Sequence, residues 1–464
     1  MKVILCVHGY PPELVGGTEL STQRLAHALA RQGHEVVVFA GTLDWEKRDT
    51  LEATVDPVEG AERSVRVLRY SRDDLYFDHW HKARSPKVRR VFADLLARER
   101  PDLVHVHHWI RLSRDLVATA ATRGVPAVVS LHDAWTSCLV AFRIRPATRT
   151  PCDAPLAVDP CIGCAHALEP ATPWMDADEE RRRFLEHRAD LVRELRLARA
   201  AIVPTASHAD TLRRGLFLDT DEVAFRVVRP AIALPERVHA PLAFEDGDTL
   251  RIGSWGHYAE HKGLEVLIDA VHALPDPSRV ELRLAGGVVL PDYRARLEER
   301  ARGLRVRFDD AYAAPDLGAH AVSDAHLFAS GSLARESWGL VVDEALALGL
   351  PALLPDAGAF AERARDAGWA RLYAQGSATA LAVRLRKVLD DPGLLAALRA
   401  AVPARAALEY GGDDQAADLV PVYERAVAAG APDARGIAFD EACDRLDVES
   451  WDRRLRSGGS DDAR

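Results

Sequence analysis

The chain has no apolar run approaching the ~20 residues of a membrane-spanning helix, and its opening, MKVILCVHGYPP, is too short an apolar stretch for a secretory leader. A cytoplasmic setting is expected. It also lacks excess positive charge: the formal net charge is −10, which argues against general affinity for nucleic acid. Local basic stretches such as HKARSPKVRR (His81 to Arg90) are left for a phosphate, or for peripheral contact with the anionic inner face of a membrane. Cysteine is scarce, six residues in all, and in a cytoplasmic chain the thiols read as metal ligands or buried side chains before they read as disulfides. No solenoid-type repeat is present. What the chain does have is the composition of an ordinary globular protein, 48% hydrophobic and 28% charged, spread over 464 residues. That length exceeds what one hydrophobic core usually supports, so two main domains are expected.

The first domain is expected over residues 1–228. KVILCV and EVVVFAG (Glu35 to Gly41) are continuous apolar runs suited to strands buried on both faces. Between them TELSTQRLAHALARQG carries apolar residues at helical spacing, with Thr18 placed to cap the start and Gly33 the end. The strand-to-helix turn contains Gly16-Gly17, where backbone can approach an anion at a helix N-terminus. An unliganded tight turn is the plainer account of a Gly-Gly pair taken alone. Strands DLVHVHH (Asp102 to His108), PAVVSLHD (Pro126 to Asp133) and AAIVPTA (Ala200 to Ala206) follow with helices between them, a doubly wound pattern. Ligands gather beyond the carboxyl ends of such strands, where His107, His108, His132 and Asp133 fall.

A proline-rich, aperiodic stretch, Arg229 to Thr249, reads as a linker, and a second α/β unit over 250–410 begins at LRIGSWG. It continues through a loop HYAEHKG, helix LEVLIDAVHAL, strands VELRLAGG, LRVRFDD and DAHLFAS, and the stretch ARESWGLVVDEALALGLP. A helix over 411–430 is expected to pack back on the first domain, with a polar tail over 431–464. In ARESWGLVVDEALALGLP, Gly339 opens a helix that Gly349 and Pro351 stop, so Glu336 precedes the helix and Glu344 sits in its second turn. A helix N-terminus between two carboxylates suits a phosphate flanked by hydroxyls, the layout of a nucleotide sugar. Two acidic residues alone would equally serve as a cap and a solvated helix face.

ESWGLVVDEALALGLP resembles the E-x7-E signature of the family 4 glycosyltransferases with the GT-B fold. Three further stretches resemble that family in the same order: PPELVGGTE its N-terminal glycine loop, DLVHVHH and SLHD its histidine-bearing strand ends, and WGHYAEHKG its G-R-x-x-x-x-K-G loop. The resemblance spans about Met1 to Glu424. It implies two Rossmann-like doubly wound domains facing a central cleft, and transfer of a sugar from a nucleotide-diphosphate sugar to a sugar or glycolipid acceptor with retention of anomeric configuration. A role in cell-surface polysaccharide or glycoconjugate synthesis is within its range.

The resemblance assigns roles as well. His132, Lys262 and Glu336 would be catalytic: His132 near the transferred sugar, Lys262 on the leaving diphosphate, Glu336 on sugar hydroxyls. Gly16 and Gly17 would face the diphosphate or acceptor, Ser337, Trp338, Gly339 and Leu340 would line the donor site, and Glu344 would hold the ribose. No catalytic cofactor or metal is implied, since Lys262 and helix dipoles supply the positive charge. Two features depart from the pattern. His257 stands where an arginine is expected, so one diphosphate cation is charged only when protonated, and donor affinity should rise as pH falls from about 8 toward about 6. An excursion over about 138–166 carries Cys138, Cys152, Cys161 and Cys164, whose C-x-x-C end suggests a structural zinc or iron–sulfur site; reduced cysteines in a packed loop are the alternative. Cys6 and Cys443 read as buried thiols. A sugar-nucleotide epimerase of the same architecture and a catalytically silent transferase-like binding subunit remain as rival functions.

Overall fold

A computed structural model describes residues 1–74, 79–82, 84–168, 175–219, 223–238, 240, 242–435 and 437. Its strands are β1 (Lys2–Val7), β2 (Glu35–Gly41), β3 (Thr50–Asp56), β4 (Val65–Ser71), β5 (Leu103–Val106), β6 (Ala127–Ser130), a short hairpin β7 (Ile144–Arg145) and β8 (Thr150–Pro151), β9 (Ala201–Val203), β10 (Phe225–Val227), β11 (Leu250–Trp255), β12 (Val280–Ala285), β13 (Arg305–Asp309), β14 (Leu327–Ala329), β15 (Ala352–Pro355) and β16 (Ala370–Tyr373). They form an eight-stranded sheet ordered β10-β9-β6-β5-β1-β2-β4-β3 and a six-stranded sheet ordered β13-β12-β11-β14-β15-β16. Every pairing in the second sheet is parallel. In the first only β3 runs antiparallel to its neighbour. These are two Rossmann-like units.

The apolar strands behave as period-two ribbons must when both faces are covered. Ile4 and Cys6 of β1 enter one core cluster, while Val3, Leu5 and Val7 enter the cluster on the opposite face. Cys6 is fully buried, whereas Cys443 lies outside the described residues. The second cluster is completed from far along the chain: Leu419, Val422 and Tyr423 of the helix Gly412–Ala429 pack against the helix Gly17–Arg31 and its strands.

Three local expectations are corrected. Thr18 does not cap its helix; Gly16 is the extended residue before it, and Thr18 lies inside, its carbonyl accepting from the Thr22 hydroxyl at 2.8 Å. The edge strand β3 was not foreseen, because TLEATVD is solvated along most of its length and shows no buried run. Nor was β16, four residues closing the far edge of the second sheet.

Each sheet has a point where strand order reverses. In the first, β1 lies between β2 and β5; in the second, β11 lies between β12 and β14. Ligand crevices form beyond the carboxyl ends of the strands at such points.

Candidate functional site

Beyond β1, β5 and β6 the chain places His8, His107, His108, His132 and Asp133. His107 Nδ1 and His132 Nε2 are 2.9 Å apart, and the two rings stack. His8 Nε2 lies 2.9 Å from Glu19 Oε1, and His108 Nε2 3.5 Å from Asp133 Oδ2. Burial lowers the His132 pKa to about 4 and holds that of His107 well below its ordinary value. These imidazoles are therefore neutral at pH 7, suited to exchanging hydrogen bonds with hydroxyls rather than to binding anions by charge. Asp133 is the reverse case: burial pushes its carboxyl up, but the charge and hydrogen bond of His108 outweigh it and the group stays ionised.

In the second domain the one-turn helix Glu260–Lys262 follows β11 and its loop, and the segment after β14 carries Glu336. Lys262 Nζ donates to Glu336 Oε1 at 2.9 Å, and the Ser332 hydroxyl donates to the same oxygen at 2.9 Å. Burial pushes the Glu336 carboxyl up, yet the charge and hydrogen bond of Lys262 hold it below the usual carboxylate range. The helix Leu340–Ala347 begins just beyond. Gly339 precedes it with φ 80°, and a Cβ there would stand 2.3 Å from Phe360 Cε1, so only glycine fits. Leu340 faces the first domain: its Cδ1 lies 3.4 Å from where a Cβ on Gly17 would stand.

The other predicted donor contacts are placed as follows. Glu344 is buried and accepts from Trp255 Nε1 at 2.8 Å; burial pushes its carboxyl up to about 7. Trp338 turns its indole N–H to Asp343 Oδ2 at 2.7 Å, and the Arg363 guanidinium lies 4.0 Å from its ring centroid. His257 sits beside Gly287 in the loop after β11, and burial together with Lys262 lowers its pKa while Glu19 opposes this. His257 therefore stays neutral to lower pH than an ordinary histidine.

Ser337 joins the two halves. Its hydroxyl donates to the carbonyl of His132, and its own carbonyl accepts from Thr205 Oγ1 at 3.0 Å. The histidines of the first domain and the Lys262–Glu336 pair of the second thus border one cleft, with the N-termini of helices Gly17–Arg31 and Leu340–Ala347 meeting across it. His8, Glu19 and Ser332 were missed in the sequence. His8 was reachable, because it follows β1 directly and the strand-end rule that picked out His107 applies equally to it.

Cys138, Cys152, Cys161 and Cys164 lie along one excursion between β6 and the helix Ala177–Leu197, the last two on the helix Val158–His166. They are not assembled as a ligand set: among the described residues no group of three or more His, Cys, Asp or Glu side chains is placed to hold a metal ion. Nor is the basic stretch after His81 a free positive surface. Arg84 is bound to Asp190, Lys87 to Asp49 and Asp73, and Arg89 to Asp115. No described helix is long and apolar enough to cross a membrane.

Two Rossmann-like domains that meet over a cleft bearing a lysine–glutamate pair and a helix N-terminus are the GT-B arrangement that the sequence resemblance implies. Residues 15–228 match the family model Glycosyltransferase Family 4, and residues 242–405 match Glycosyl transferases group 1. The chain belongs to the GT-B glycosyltransferases of family 4 type. It is 27% identical to D-inositol 3-phosphate glycosyltransferase of Jonesia denitrificans, over 91% of this chain and 95% of the relative. In fold it is similar to sucrose-phosphate synthase from Thermosynechococcus elongatus, with a TM-score of 0.65 at 18% identity, covering 92% of this chain and 100% of that one. It is likewise similar to Anabaena HepE in complex with UDP and glucose, with a TM-score of 0.55 at 17% identity, covering 92% and 98%.

Proposed function

We propose that this glycosyltransferase takes a nucleotide-diphosphate sugar as donor and moves the sugar to an acceptor hydroxyl with retention at the anomeric carbon. The observation that carries this reading is the Lys262–Glu336 pair at the start of the helix Leu340–Ala347, opposite His132 across the cleft. A diphosphate beside that helix start meets unsatisfied N–H groups and the Lys262 ammonium. Glu336 accepts from sugar hydroxyls, and neutral His132 exchanges a hydrogen bond with the sugar from the other side. Glu344, further along the helix, faces the ribose, and Gly16 and Gly17 admit the donor or acceptor close to backbone. HepE, of the same fold, has been solved with UDP and glucose, and the inositol-phosphate transferase is a relative along nearly the whole chain. Both support a nucleotide-sugar donor and a polyol or sugar acceptor, a pairing compatible with glycoconjugate or cell-surface polysaccharide synthesis.

In the transfer the bond from the anomeric carbon to the diphosphate oxygen breaks as the acceptor oxygen bonds to the same face of that carbon. The acceptor proton passes to the departing phosphate oxygen. Lys262 stabilises the charge that grows on the diphosphate, an effect larger in the transition state than in the ground state. The test is incubation with UDP-, GDP- and ADP-sugars and a polyol acceptor, with nucleotide release measured and the product anomer read by NMR. Release coupled to a product of unchanged anomeric configuration supports the reading; an inverted product, or no transfer from any of these donors, overturns it.

A further inference from the structure

The cysteine-bearing excursion belongs by sequence to the first domain, yet its tip is built into the second. Ile144 of β7 is 5% exposed and lies within the second domain's core cluster, which also holds Leu264 and Leu333. The Phe142 ring stacks on His261 with centroids 3.8 Å apart and planes 5° from parallel. Arg149 reaches Glu260 Oε1 at 3.0 Å and Glu265 Oε1 at 2.6 Å. Asp153 pairs with Arg335. The base is fixed on its own side by buried Arg143, which donates to the carbonyls of Ser137 at 2.9 Å and Ala154 at 2.7 Å.

These grips fall on either side of the Lys262–Glu336 pair. Glu260 and His261 are the two residues before Lys262, and Arg335 is the residue before Glu336. The two gripped segments are also tied to each other, since the His261 carbonyl accepts from the backbone N–H of Leu333 at 2.9 Å and of Ala334 at 3.2 Å. A displacement at Phe142 or Arg149 is therefore handed to Lys262 through one or two peptide units.

We infer that Phe142, Arg149 and Asp153 are positioning residues: from the first domain they hold the Glu260–Lys262 turn and the Arg335–Glu336 segment in place, so that the lysine and glutamate of the second domain stand opposite His132. The inference rests on the donor-side role proposed for Lys262 and Glu336. Nothing in it requires a metal on the excursion's thiols. Misplacing a catalytic group by about 1 Å costs up to ~100-fold in rate, so a brace of this kind acts on turnover more than on folding.

The test uses the full chain, with Phe142→Ala, Arg149→Ala, Phe142→Tyr and Lys262→Ala compared with the parent for kcat, KM for each substrate, and melting temperature. We expect Phe142→Ala and Arg149→Ala each to lose on the order of 10- to 100-fold in kcat. The acceptor KM and melting temperature should stay near the parent's, and Phe142→Tyr, which keeps the ring, should restore turnover. Parental kcat in both alanine variants, while Lys262→Ala is crippled, overturns the brace and leaves the donor reading intact. Parental kcat in Lys262→Ala overturns the donor reading itself. If Phe142→Ala loses rate only in proportion to lost stability, and Phe142→Tyr does not recover it, the contact is structural and the inference fails. Arg149→Ala, at a partly exposed position, keeps the test open if Phe142→Ala does not fold.

Discussion

The charge on Glu336 is held by its neighbour Lys262. Burial alone would favour a protonated Glu336, but the ammonium 2.9 Å away holds it ionised. In the proposed transfer a bound diphosphate would compete for that ammonium, and the pair would be partly undone as negative charge grows on the leaving group. Lys262→Ala should therefore cost at least ~100-fold in turnover, the scale of losing one oxyanion donor. Steady-state kinetics checks it, and turnover within a few-fold of the parent's would refute it. Glu344 has the opposite character. Burial, with Asp343 adding to it, raises its pKa from an ordinary carboxylate value to about 7 against the Trp255 hydrogen bond. A group whose folded pKa lies above its unfolded one contributes stability that is present at low pH and is lost as pH rises from about 4.5 through about 7. Glu344→Gln keeps an acceptor for Trp255 and removes the titration, so melting temperatures of parent and variant should converge near pH 5 and the variant should melt higher at pH 8.5. Parallel pH profiles would show that Glu344 is charged and solvated. His257 gives a third pH signature, on binding. Its imidazole is held below 6.5, and in the proposed reading a bound diphosphate would raise it, so the gain in donor affinity on acidification should be complete only below pH 6.5. His257→Arg should flatten that dependence; an unchanged profile of donor affinity against pH would place His257 away from the diphosphate.

Short elements carry most of the site, and their legibility in sequence followed burial. The strands β1 and β2 were readable because parallel strands covered on both faces are continuous apolar runs, and β12 because its apolar residues alternate with charged ones. The helix Leu340–Ala347 was readable from glycine and proline punctuation. The edge strand β3 was not, since nothing in an exposed TLEATVD distinguishes it from a loop until β4 supplies hydrogen bonds. The Lys262–Glu336 pairing was also hidden: the two residues are 74 apart in sequence, and only the β11–β14 neighbourhood brings them together. The same holds for Phe142 on His261, which joins segments of different domains. Gly339 shows how a local signal becomes a physical requirement. Its φ of 80° is left-handed, and a methyl group there would collide with Phe360 in the core. Gly339→Ala should cost roughly 1–3 kcal/mol from the backbone alone and should move the helix start to which the donor diphosphate is proposed to bind. Chemical denaturation and donor KM together test this, and a variant matching the parent in both would mean the helix begins differently.

Across the whole molecule the two domains are held in one relation by segments that cross between them, and one such crossing is the helix Gly412–Ala429. It leaves the second domain and fills the first domain's core with Leu419, Val422 and Tyr423, all nearly fully buried. Gly412 lets it start close against the helix Gly17–Arg31, for a Cβ there would stand 2.5 Å from the Arg24 carbonyl oxygen. The Tyr423 hydroxyl lies 2.7 Å from His105 Nδ1, whose Nε2 lies 2.8 Å from the Ser130 hydroxyl. The His105 ring lies against that of His107, the partner of His132, with centroids 4.0 Å apart and planes tilted by 36°, so the helix supports the floor of the histidine cluster. Burial lowers the His105 pKa to about 3, and the neutral ring needs both hydroxyls as partners. Tyr423→Phe strands one ring nitrogen in the core and should cost about 1–3 kcal/mol, while Leu419→Ala should cost about 2–5 kcal/mol through transfer and cavity terms. Both losses fall on the first domain although both residues follow the second in sequence. A thermal unfolding experiment monitored separately in each domain should show the first domain's transition moving down while the second domain's stays in place. A shift confined to the second domain, or none in either, would mean that the helix merely rests on the first domain and does not complete its core.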